Sequence, residues 1–117
     1  MMNSVLFVLR QSPYGSSKAR EILDMVFASA VFDRDITLLF TGPGLFCVTA
    51  DQSPQGTANV SKNFASLPIY GVDKLFAVEE DLLQYELSTD QLALDLEAIP
   101  QAQLSAFYQQ FDQVMVI

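Results

Sequence analysis

The only thiol in this sequence is Cys47, inside "LLFTGPGLFCVTA" (residues 38–50), a few residues beyond a strand-like apolar run and a Gly-Pro-Gly turn. A cysteine near a strand end is a candidate nucleophile, and such chemistry needs its thiolate stabilised by a cation, a metal or a helix N-terminus. The flanking "GLFCVTADQ" offers no base, and its nearest charge is Asp51, which disfavours a thiolate. Between Phe46 and Val48 the residue reads first as a small buried hydrophobe, with the nucleophile as the competing reading. A second constellation, Glu79, Glu80 and Asp81, follows the run "KLFAV". Three carboxylates beyond a strand could supply oxygen ligands to a hard cation, but the same residues suit the positive end of a helix dipole. A third, "SPYGSS" (residues 12–17), lies where helix amides often hold a phosphate. Without a G-x-G-x-x-G or Walker pattern, it reads as a strand-to-helix turn capped by serine. Histidine is absent, which removes every Ser-His and Cys-His pair and the commonest metal ligand. No catalytic residue is assigned, Cys47 being the alternative, and no cofactor or metal is expected.

These residues need elements to position them. "SVLFVL" (4–9), "DITLLF" (35–40) and "KLFAV" (74–78) are short apolar runs of the kind that form central strands covered on both faces. Ala19, Ile22, Leu23, Val26, Phe27 and Ala30 recur at helical spacing after Gly15, with Ser16 or Ser17 as N-cap. "TGPG" is expected to be a loop, and "VSKNFASL" fits a short helix before Pro68. "EEDLLQYEL" reads as a helix; "QLALDLEAI" (91–99) alternates like a strand, though a helix over "STDQLALDL" competes. From Pro100, "PQAQLSAFYQQF" is helical, and "QVMVI" is a last strand. Strand and helix alternate throughout, so the fold class is α/β: a three-layer sandwich with a mainly parallel sheet of about five strands, of flavodoxin-like topology. Sites in such sheets lie beyond the carboxyl ends of the strands, here the loops 11–16, 41–47 and 78–81.

Length and composition bound the rest. A chain of 117 residues is expected to form one domain, 1–117. Half its residues are hydrophobic and nine are Phe, so some apolar surface is expected to be covered by partner subunits. A net charge of −8, without a basic cluster, argues against direct nucleic-acid binding. No apolar run approaches the roughly 20 residues of a membrane span. "MMNSVLFVLRQSPYG" has too short an apolar stretch for a signal peptide and reads as a first strand. With one cysteine and no export signal, the cytoplasm is the expected compartment.

The stretch "SPYGSSKAREILDMVFASAVFDRDITLLFTGPGLF" resembles the opening of the DsrE/DsrF-like sulfur-relay proteins. The shared pattern is a strand, a Pro-x-Gly turn, a helix with Arg-Glu-x-Leu-Asp, a second strand and a loop. In that loop "GPGL" stands where the family usually has Asp-Gly-Val. "LPIYGVDKLFAV" and "FDQVMVI" are most similar to the DsrF (TusC) branch. The resemblance implies a subunit of a cytoplasmic hetero-oligomer, a dimer of heterotrimers with TusB-like and TusD-like partners. That complex passes persulfide sulfur, through a further carrier protein, toward 2-thiolation of the tRNA wobble uridine; DsrF-like relatives serve sulfur oxidation instead. The TusD (DsrE) subunit carries sulfur on a cysteine near the end of the strand that "KLFAVEEDLL" resembles. Here that stretch reads Ala77, Val78, Glu79, so the resemblance implies a noncatalytic subunit. A single-cysteine sulfurtransferase using Cys47 and a stand-alone receiver-like or ligand-binding module are the other readings.

Overall fold

A computed structural model describes residues 4–10, 12, 18–32, 35–49, 64–88, 91–92 and 94–116. Five strands form one parallel sheet: β1 Ser4–Leu9, β2 Asp35–Phe40, β3 Lys74–Val78, β4 Glu97–Ile99 and β5 Gln113–Val116, in the order β4-β3-β2-β1-β5. The first three coincide with the apolar runs. Every residue of β1 is buried, as a strand flanked by neighbours and covered on both faces requires.

The helices are α1 Lys18–Val31, α2 Glu79–Gln84 and α3 Leu104–Tyr108. One face of the sheet, carrying Val5, Phe7, Leu9, Leu38 and Phe40, packs against Ile22, Leu23 and Val26 of α1, with Leu82 and Tyr85 of the α2 region at its margin. The other face, carrying Leu6, Val8, Leu39 and Val78, packs against Phe107 of α3, with Phe76 and Phe111 beside it. Helices on both faces of a five-stranded parallel sheet give the expected three-layer arrangement.

The strand order departs from the flavodoxin order 2-1-3-4-5. From β1 to β4 the chain steps steadily one way, and only β5 returns, to the far side of β1. Because crossovers between parallel strands keep one hand, reversing direction moves the connecting helix to the opposite face. That is why α3, among the described helices, covers the Leu6–Val8 face. The start of β5 is fastened by Asp112, whose Oδ2 accepts from the Ser4 backbone N–H at 3.1 Å and whose own N–H donates to Ser4 Oγ at 3.0 Å.

Two expectations change. "TGPG" opens a 3-10 helix, Gly42–Cys47, rather than an irregular loop. Among the described residues of the alternating stretch 91–99, only Glu97–Ile99 pairs as a strand. Of the helix expected in "VSKNFASL", Phe64 and Ala65 are helical and lead to a 3-10 turn, Leu67–Tyr70, while residues 60–63 lie outside the described residues. The Ser16/Ser17 cap and the turn-rich residues 50–60 lie outside the described residues.

Candidate functional site at the carboxyl edge

At the carboxyl edge of the sheet, the ends of β1, β2 and β3 converge with the 3-10 segment. The Thr41 N–H donates to Leu9 O at 3.0 Å, carrying the β2 exit over the end of β1. Gly44 lies directly against that corner: a Cβ placed on it would sit 2.0 Å from Leu9 O. Gly42 turns the chain here with φ +54°, a left-handed conformation suited to glycine.

Two of the expected loops are joined through Asp81. Its Oδ2 accepts from Thr41 Oγ1 at 2.7 Å and from the Gly42 N–H at 2.8 Å. The third acid of the triplet is therefore a brace between the first turn of α2 and the β2 exit. Glu80 Oε1 accepts from the Gln101 N–H at 2.9 Å and ties the same turn to the start of the β4–β5 crossover. Glu79 is exposed. The three carboxylates serve separate ends, and among the described residues no group of three acidic, Cys or His side chains is placed to hold a metal ion. Loop 11–16 lies outside the described residues apart from Ser12.

Asp81→Ala removes the acceptor of both bonds and leaves a partly buried N–H unpaired. It is expected to cost about 1–3 kcal/mol of stability, with Thr41→Val costing less because the Gly42 bond survives. Urea denaturation of the two variants measures the difference.

Cys47, the last residue of the same 3-10 segment, is fully buried in the core cluster that holds Leu45, Val48 and the buried side chains of α1. Burial pushes its thiol from the ordinary 9.0 up to about 12, so the neutral form is held in the folded state. Ala77 and Val78, at the end of β3, are buried on opposite faces of the sheet. At this strand end the chain has two apolar side chains and then the acids of α2.

Arg10 and Tyr108 were not legible as a pair. Arg10 is exposed just past β1, and its charge acts on the Tyr108 phenol of α3. Desolvation pushes that phenol up and Arg10 pulls it partly back. They sit where the strand order reverses, between β1 and β5; the only sequence signal for them is Arg10 following a buried strand.

The chain belongs to the DsrE/DsrF-like family, whose match spans residues 3–117. Within it the relatives are TusC homologues. "Protein TusC homolog" of Pseudomonas aeruginosa is 33% identical over 119 residues, covering 100% of both chains. That of Vibrio parahaemolyticus is 28% identical over 97% of this chain and 98% of its own; that of Aliivibrio fischeri is 26% identical over 98% and 99%. The crystal structure of the ychN protein from E. coli superposes with a TM-score of 0.83 over 99% of this chain and 100% of its own, at 19% identity, a likeness of fold.

Proposed function

We propose that this chain is a noncatalytic, TusC-like subunit of a cytoplasmic sulfur-relay complex, a single domain assembled with TusB-like and TusD-like partners as a dimer of heterotrimers. The complex hands persulfide sulfur to a carrier protein on the route to wobble-uridine 2-thiolation of tRNA. In such a handover an acceptor thiolate attacks the outer sulfur of the donor persulfide; the S–S bond breaks and the donor leaves as a thiolate. The observation that carries the noncatalytic role is the state of the chain's single thiol. Cys47 is enclosed in the core and burial pushes its thiol up to about 12, which supports a packing role over that of nucleophile or acceptor. The end of β3 offers Ala77 and Val78 instead. Among the described residues no helix is long and apolar enough to cross a membrane.

The role left to the subunit is to build and hold the complex around a partner's reactive cysteine. The test is persulfide transfer by the complex reconstituted from its three subunits, with wild-type chain or with Cys47→Ala. Transfer is expected to be unchanged by the substitution and to disappear when this chain is omitted. Loss of transfer in an intact Cys47→Ala complex would establish Cys47 as a carrier instead.

A further inference from the structure

The two edges of the sheet are protected unequally. β4 is three residues long, carries exposed Glu97, follows exposed Asp95 and stops at Pro100. Short length, charge and proline each blunt an edge against pairing with another chain. β5 is also short, at four residues, but lacks the charge and the proline. Its register with β1 runs unbroken from Val5↔Gln113 to Val8↔Val116. The nearest carboxylate, Asp112, is engaged with Ser4.

The side chains point the same way. Val114 and Val116 are paired in register with Leu6 and Val8, so they continue the apolar surface of that face out to the edge, where they remain 38% and 49% exposed. The face they extend is the one that, among the described helices, only the five-residue α3 covers. An unblunted edge presents backbone N–H and C=O groups, and their spacing matches another extended chain; a docked helix has already used its own backbone groups internally. The occupant is therefore a strand. It is not a second copy of this chain by preference, because two chains of net charge −8 repel each other.

Granted the subunit role proposed above, we infer that the outer edge of β5 is a strand-addition site. It takes an extended, uncharged segment of a partner subunit, which extends the sheet beyond β5 and lays apolar side chains over Val114 and Val116.

Hydrogen exchange on the free chain and on the co-expressed three-subunit complex tests this. The amides of Gln113–Val116 that face away from β1 are expected to slow by about tenfold or more in the complex. The double variant Val114→Lys/Val116→Lys, whose side chains are already partly in water, should keep the Tm of the free chain yet weaken assembly by about tenfold or more. A Met25→Lys control, at an exposed position on α1, should leave assembly unchanged. Unaltered exchange at β5 in an intact complex, or normal assembly of the lysine variant, would overturn the inference while leaving the subunit role standing. A homodimer of the free chain through β5 would overturn the choice of occupant. Failure of the wild-type chain to assemble with either partner would overturn the subunit role itself.

Discussion

Gly44→Ala is expected to lower stability by about 3 kcal/mol or more. The reason is steric. The added Cβ would lie 2.0 Å from Leu9 O, 2.6 Å from Leu9 C and 3.2 Å from the Arg10 backbone nitrogen, all of them backbone atoms that have no rotamer to change. Relief requires moving either the end of β1 or the 3-10 segment. Leu9 is fully buried and its carbonyl already accepts from the Thr41 N–H, so the first route opens the central strand. Leu45, Cys47 and Val48 are fully buried on the same segment, so the second route drags core side chains out of their packing. Gly42, two residues earlier, is the comparison. Nothing lies within 4 Å of a Cβ there, and its φ of +54° costs an alanine only about 1–2 kcal/mol. Thermal melts of the two variants should differ clearly, with Gly44→Ala lowering Tm by about 10–20 °C. Equal melting temperatures would mean that β1 and the β2 exit yield to each other freely, and that the carboxyl edge is not the rigid corner its hydrogen bonds describe.

That corner also marks where sequence reasoning stops. β1, β2 and β3 were legible to the residue because each is a short apolar run, and a strand buried on both faces leaves that signature. The stretch 91–99 was misleading for an opposite reason. Leu92, Leu94 and Leu96 alternate and do pack against the core, but alternation reports burial of one side of an extended chain, not the presence of a pairing partner. Leu92 instead makes an isolated antiparallel bridge with Thr49, and the parallel ladder with β3 begins only at Glu97. The brace at the site was not legible at all. Asp81 and Thr41 are 40 positions apart, and an acid in the first turn of a helix already has a sufficient local explanation in the helix dipole. Likewise the sequence contains Gly44 but not Leu9 O above it. What the residues did show is that Ala77 and Val78 stand at the end of β3 and that the one thiol stands elsewhere.

The buried thiol should make stability fall steeply in alkali, in a way that Cys47→Ala abolishes. The folded state raises the Cys47 pKa from 9.0 to about 12 through burial. Below pH 9 both folded and unfolded chains hold the proton, and the residue contributes its full stability. Between pH 9 and 12 the unfolded chain releases the proton while the folded chain retains it, so the unfolded state gains. The loss is about 1.4 kcal/mol per pH unit once the unfolded thiol is ionised, and on the order of 4 kcal/mol by pH 12. Urea midpoints of wild type and Cys47→Ala, followed from pH 8 to 11, isolate this contribution, because tyrosine and lysine titrations are common to both chains and cancel in the difference. The alanine variant begins lower, having lost buried packing, and the two curves converge as the pH rises. Parallel curves would mean that the thiol ionises as easily in the folded chain as in the unfolded one. That outcome would reach beyond stability: with a pKa of about 12, roughly one Cys47 in 10^5 is a thiolate at pH 7, and that scarcity, together with the burial, is what separates a packing residue from a sulfur carrier.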